Sequence, residues 1–357
     1  PRMRGMSGAY TQMLINGERP PPGFSLDSLP PDQVERIEVM RGPVAEHSTQ
    51  AIAGTINIVL REGYRQKDRT IAVSDSIEHG KHAGNASITI PGQKGDLTWL
   101  LSGGIGSNAR ADQSVTHLEE VNADGSLRTR QEITEQGRSR NRSLHLTPRF
   151  SYKFDNGDTL TFQPFLMVNR GTSAATSDIA QTAGIVAPEY THQETSGENT
   201  SNFGRGFGNW LHKMDKGAKL DVKFGFGGGR ITSDNLRLGY DGSALVNRWL
   251  DDFTMDTLGL NFGGKYTSPM GEGHLLAAGW DMESQERKEV RISLRNGVPQ
   301  FGDSGRQLSA DTHRVAAFVQ DEWDVSKQFS AYFGLRWEGI RTTSSNAGYE
   351  VRNESSV

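Results

Sequence analysis

The chain has 357 residues, with 39 Lys plus Arg against 43 Asp plus Glu for a formal net charge of −4, and no cysteine. The missing cysteine excludes a disulfide framework, a thiolate nucleophile and a Cys-based metal site, and the near-even charge argues against nucleic acid as a partner. Mean hydropathy is −0.59 and no apolar run approaches the length of a membrane-crossing helix. A transmembrane β-barrel stays open, because its strands alternate between lipid and lumen and are not apolar on average.

Residues 1–63 hold more than half of the 13 prolines and carry short apolar stretches. Gln12 to Ile15, Val34 to Met40 and Gly54 to Leu60 read as strands rich in β-branched and apolar residues, and Asn16-Gly17 is a tight-turn signal. The segment is expected to be a small mixed domain that lacks its beginning. Pro1 is no natural initiator, so the amino end is expected to have been cut, processed or left out.

From about Lys67 the apolar period becomes two. Leu144, Leu146, Phe150, Tyr152 and Phe154 alternate with polar neighbours, as do Leu220, Val222, Phe224 and Phe226. Phe329, Ala331, Phe333, Leu335 and Trp337 stand against Ser330, Tyr332, Gly334, Arg336 and Glu338. Such alternation places one face of each strand in an apolar environment and the other in a polar one. It predicts 11 antiparallel strands, near 69–78, 83–91, 96–107, 142–154, 158–170, 202–214, 218–231, 256–267, 274–290, 312–323 and 328–341. The strand at 202–214 is poorly patterned, with Arg205 and Asn209 on the face of Phe207 and Leu211.

Short turns at Gly92–Gly95, Asp155–Asp158, Asp215–Ala218, Ser268–Gly273 and Asp324–Lys327 alternate with long polar segments near 110–140, 171–201, 233–255 and 292–311. Those segments read as loops, and the short-long order is that of a membrane barrel with tight periplasmic turns and long external loops. Asn346 to Val357 reads as a polar trail without a closing element. With an odd strand count where bacterial barrels have even ones, it predicts an incomplete chain. Residues 64–357 are therefore expected to form part of an all-β transmembrane barrel.

Two motifs give this frame a family. Arg36-Ile37-Glu38-Val39-Met40-Arg41-Gly42-Pro43, followed by Ala51-Ile52-Ala53-Gly54-Thr55-Ile56-Asn57-Ile58-Val59, resembles the end of the plug domain of TonB-dependent outer-membrane receptors. Arg4-Gly5-Met6 and Tyr10 to Gly17 resemble the preceding plug hairpin. Ala317 to Trp323 with Phe333 to Glu338 is similar to a barrel hairpin of the same family. The chain departs from the pattern at Glu46-His47-Ser48-Thr49, where the family has an aromatic followed by a small residue, and at Ala53-Gly54, where it has Gly-Gly.

The resemblance implies a mixed α/β plug, of which residues 1–63 are the last part, inside a barrel of about 22 strands. It also implies energy-coupled uptake of a scarce nutrient, a ferric siderophore first and haem, cobalamin or carbohydrate after it. Further partners would be outer-membrane lipid and an inner-membrane TonB complex, which engages a coupling box that should lie before Pro1. No cofactor is implied. Met6, Ser7 and Tyr10 would lie at the plug apex, with Arg4 and Arg19 placed to meet an anionic chelate; packing of Tyr10 on a neighbouring plug strand is the alternative. Glu38 and Arg41 would lock plug to barrel wall, the alternative for Arg41 being an ordinary surface arginine.

The remaining features read as structural. His79 and His82 bracket a turn, without a third ligand for a metal. Gly225, Gly227, Gly228 and Gly229 lie in a strand with no helix after them, which fits a wall making room for the plug and not a phosphate loop. No nucleophile elbow, zinc-protease motif or paired-carboxylate constellation points to an enzyme. A passive porin or adhesin barrel, or a soluble all-β binding module, are the rival readings.

Overall fold

The computed structural model describes residues 11–15, 34–40, 54–60, 68–78, 80–326, 328–346 and 349–356. Its first sheet comprises β1 (Thr11–Ile15), β2 (Val34–Met40) and β3 (Gly54–Leu60) in the order β1-β3-β2. The strand β3 pairs parallel with β1 and antiparallel with β2. Ile15 and Ile58 are buried with Val34 packed against them, and Leu14, on the opposite face of β1 from Ile15, is buried as well. All three strands fall where the sequence predicts them.

The second sheet opens with β4 (Thr70–Glu78), β5 (Lys81–Lys94), β6 (Leu97–Val121), β7 (Leu127–Leu146), β8 (Arg149–Lys153) and β9 (Thr159–Ala183). It continues through β10 (His192–Lys213), β11 (Lys219–Asp241), β12 (Ala244–Met270), β13 (His274–Arg295), β14 (Val298–Pro299), β15 (Gln307–Ser326), β16 (Phe329–Asn346) and β17 (Tyr349–Ser356). The result is one antiparallel meander from β4 to β17, a wall of barrel strands joined by hairpins. The strands β7 and β8 hold one register across Thr147-Pro148, since Leu146 faces Gly103 and Phe150 faces Trp99. Pro148 has no N–H to donate, and the ladder is interrupted there without a slip.

One face of this sheet is apolar and open. Ile105, Leu166, Phe226, Leu260, Phe262, Leu335 and Trp337 are all exposed, Leu335 at 77%. A water-soluble sheet would cover such a continuous surface; a barrel presents it to lipid. Along β9 the belt runs from Leu160 through Phe162, Pro164 and Leu166 to Val168. At about 3.3 Å per residue and a tilt near 40°, that stretch is roughly 20 Å tall, close to the apolar band of an outer-membrane barrel.

Two expectations are corrected. The polar segments near 110–140, 171–201, 233–255 and 292–311 are mostly strand: β6 and β7 pair up to Val121 and Leu127, and β11 and β12 up to Asp241 and Ala244. Beyond the lipid both faces meet water, so the hydrophobic period that marks a strand disappears while the backbone ladder continues. Nor does the segment after Asn346 trail off, because Tyr349–Ser356 pairs with β16, from Asn346↔Tyr349 to Gly339↔Ser356.

The weak pattern at 202–214 has a packing cause. Gly204, Gly206 and Gly208 hold the lipid-facing positions of β10, opposite Gly228, Phe226 and Phe224. Phe224 and Phe226 from β11 and Phe162 from β9 lean over these glycines, and Phe162 stacks on Phe226 with centroids 6.4 Å apart. The apolar cover of β10 comes from its neighbours, while Arg205, Phe207, Asn209 and Leu211 face the lumen.

Candidate ligand-binding site at the mouth and inner wall

Arg4, Met6, Ser7, Tyr10, Arg19 and Arg41 lie outside the described residues, as does His79. Glu38 lies on β2, where it accepts hydrogen bonds from Arg36 Nε at 2.9 Å and from Asn57 Nδ2 at 2.8 Å. Asn57 is buried, and its bond to Glu38 helps to replace the water that its amide gives up. His82 pairs with Asp75 at 2.8 Å across the β4–β5 hairpin. Among the described residues no group of three or more His, Asp or Glu side chains could hold a metal.

The expected room for the plug at Gly225, Gly227 and Gly229 is taken by neighbouring lumen-facing groups. A Cβ on Gly225 would meet Asn261, one on Gly227 would meet Arg205, and one on Gly229 would meet Phe203. These glycines let long side chains from β10 and β12 lie across β11.

Lower on the inner wall, β13, β15 and β16 bring five charged side chains together. Arg314 donates to Glu283 at 2.8 Å and lies 3.7 Å from Glu338. Arg336 donates to Glu338 at 2.9 Å and to Asp281 at 3.3 Å. The side chains of Arg336 and Glu338 are only 6% and 2% exposed. Charges this far from water persist only when paired, and the cross-strand register supplies the pairing. Among the described residues the group sets two guanidiniums against three carboxylates.

Above the lipid belt, on the same inner face, β11, β12 and β13 form the mouth. Trp249 stands opposite Arg237 on one side and Arg295 on the other. The guanidinium carbons lie 4.9 and 5.8 Å from its ring, within cation–π range. Arg237 also donates to Asp251 at 3.0 Å, and Ser293 Oγ donates to the other oxygen of Asp251 at 2.6 Å. Burial alone would push the Asp251 carboxyl up, but the Ser293 hydroxyl, the adjacent Trp249 indole and the Arg237 cation outweigh it and hold the group below its usual range. Asp251 is thereby kept ionised, and it fixes Arg237 over the indole. One guanidinium nitrogen of Arg295, Nη2, donates to both carboxylate oxygens of Glu189, and the ring of Tyr190 covers Gly239.

The arrangement holds an indole between two guanidiniums, each also tied to a carboxylate, so the cluster is net neutral and offers to a solute the N–H groups that Asp251 and Glu189 leave over. Sequence reading missed it because Trp249 and Arg237 fall in a segment read as loop. Arg336 and Glu338 were legible only as the polar side of an alternating strand.

The first 55 residues match the family described as the TonB-dependent Receptor Plug Domain. An iron-regulated outer membrane virulence protein of Vibrio cholerae is 23% identical over 359 residues, covering 94% of this chain and 45% of that protein. The chain thus spans about half the length of that relative. Among solved structures, the unliganded ferric citrate transporter FecA is similar over 98% of this chain and 64% of its own, at 12% identity and a TM-score of 0.37. The alcaligin outer-membrane receptor FauA of Bordetella pertussis is similar over 97% of this chain and 72% of its own, at 12% identity and a TM-score of 0.36.

Proposed function

We propose that this chain, a TonB-dependent outer-membrane receptor by its plug sequence and its barrel wall, belongs to a protein that captures a ferric siderophore and imports it by energy coupling through the TonB complex. The observation that carries this reading is the mouth cluster, where Trp249 lies between Arg237 and Arg295. Ferric chelates are commonly anionic and rich in oxygen acceptors, and the guanidinium N–H groups of Arg237 and Arg295 that Asp251 and Glu189 leave over can donate to such a ligand beside the indole. The plug apex, with Met6, Ser7, Tyr10, Arg4 and Arg19, is the proposed floor of the same site. Residues 1–63 are the proposed plug portion and 64–357 the proposed barrel portion.

Within this reading Arg41 and Glu38 lock the plug to the barrel. The wall group, with Asp281, Glu283 and Glu338 against Arg314 and Arg336 among the described residues, has one carboxylate more than it has guanidiniums, which suits a plug arginine. Arg41→Ala should loosen the plug and raise single-channel conductance of the reconstituted receptor; unchanged conductance would sink the lock.

The test of function is a titration of the full-length parent in detergent with ferric chelates, haem and cobalamin, followed by tryptophan fluorescence. Saturable, tight binding of one ferric chelate is the expected result. Binding of none, with open-channel conductance in a planar bilayer, would make the protein a passive pore.

A further inference from the structure

The outer face of the wall changes character at one level. On β6, β7 and β9 the lipid belt ends at Ile105, Leu144 and Val168, which stand side by side. The next outward residues toward the mouth are Ser107, Arg142 and Arg170, in the same register. Above Arg142, β7 presents Arg140 and Arg138 outward, opposite Ala109 and Ala111 on β6 and Thr172 and Ala174 on β9. Four guanidiniums therefore form a ladder that begins where the hydrocarbon ends, among neighbours too small to cover them. Arg138, Arg140 and Arg142 are exposed.

Elsewhere at this level charged groups are matched on the wall itself. Arg230 makes a fork to Asp256 at 2.6 and 2.9 Å, Lys288 pairs with Glu286, and Arg341 pairs with Glu354 at 2.6 Å. Arg170 has Glu198 at 2.5 Å. For Arg138, Arg140 and Arg142 no carboxylate lies within ion-pair distance among the described residues. Arg170, directly opposite Arg142, is offset by Glu198, whereas Arg138, Arg140 and Arg142 set three like charges at two-residue spacing on one face of β7, where they repel. Without an anion from outside, the ladder costs stability; with one it is relieved.

We propose that Arg138, Arg140, Arg142 and Arg170 form an outward-facing site for the phosphate groups of outer-leaflet lipid headgroups. The lipid source follows from position, since the ladder continues the lipid-facing row at headgroup height and points away from the lumen. Guanidinium forks match phosphate oxygens in geometry as well as charge, and stacked arginines at two-residue spacing can share one multiply phosphorylated headgroup.

The experiment uses the full-length receptor in non-ionic detergent, titrated with diphosphorylated lipid A and with the same lipid stripped of phosphate. Bound lipid is read by native mass spectrometry. The diphosphorylated lipid should bind at least tenfold more tightly. The triple variant R138Q/R140Q/R142Q should lose roughly 100-fold in affinity and most of the discrimination between the two lipids. Equal binding of both lipids by the unaltered receptor would overturn the proposal without reliance on any variant. Unchanged lipid affinity in a folded triple variant would do the same. Displacement of the lipid by millimolar inorganic phosphate would assign the ladder to a free anion and overturn the lipid source.

Discussion

Trp249 on β12 lies 4.9 Å from the guanidinium carbon of Arg237 on β11 and 5.8 Å from that of Arg295 on β13, so one indole ties three adjacent strands together at the mouth. If this plate receives the cargo, Trp249→Ala should weaken ferric-chelate binding roughly tenfold while leaving the fold intact. Fluorescence titration measures it, with the urea midpoint as control for folding. Unchanged affinity would move the site elsewhere.

Glu338→Ala should destabilise the wall by about 1–3 kcal/mol, because buried Arg336 loses its nearer carboxylate and keeps Asp281 at 3.3 Å. Glu338→Gln keeps one acceptor and should cost less. Denaturant unfolding in detergent ranks the two; equal cost would mean that the carboxylate charge is unimportant.

A Cβ built on Gly208 would lie 2.3 Å from the ring of Phe224. Gly208→Ala should therefore cost about 1–3 kcal/mol, the usual range for overpacking. Most of that penalty should vanish in a Phe224→Ala background, which a double-mutant cycle would detect. Additive effects would argue against the ring lying over the glycine.

Leu335 is 77% exposed in the middle of the apolar belt. In a soluble sheet Leu335→Arg would be almost neutral, whereas facing lipid it should cost roughly 2–4 kcal/mol. Folding yield into liposomes distinguishes the two environments directly.

Asp158, in the short turn between β8 and β9, accepts from His212 Nδ1 at 2.8 Å and from the Lys213 amide at 3.0 Å. Burial pushes its carboxyl up, but the bonds from His212, the Lys213 N–H and Asn156 prevail and its pKa lies below the ordinary 3.8. A depressed folded value means that its contribution is full above the unfolded value and fades as pH falls through the folded one. Acid melting below about pH 4 should be shallower in Asp158→Asn than in the unaltered protein. Identical acid limbs would exclude this turn as a contributor.

Strand identity was legible wherever one face meets lipid, since Phe329 to Trp337 and Leu220 to Phe226 alternate without interruption. It was illegible above the belt, where Arg237 and Trp249 occupy a ladder with water on both sides and no apolar row to betray its period. In β10 the signal was displaced to other strands, with Phe162, Phe224 and Phe226 serving as cover for Gly206 and Gly208. The plug strands were readable from β-branched content alone. The mouth cluster was not, because Arg237, Trp249 and Arg295 are distant in sequence and meet only through cross-strand register.

The overhang of the strands beyond the belt has a consequence for capture. From Leu144 to Leu127, β7 continues for about 17 residues, roughly 55 Å along the strand and some 40 Å in height once tilted. The entrance is thus a stiff turret standing clear of the headgroups, with its contact residues on hydrogen-bonded ribbons instead of loose connections. If this mouth receives the proposed cargo, the solute would meet backbone that is already ordered in bulk water, so little of the encounter energy would go into ordering the main chain.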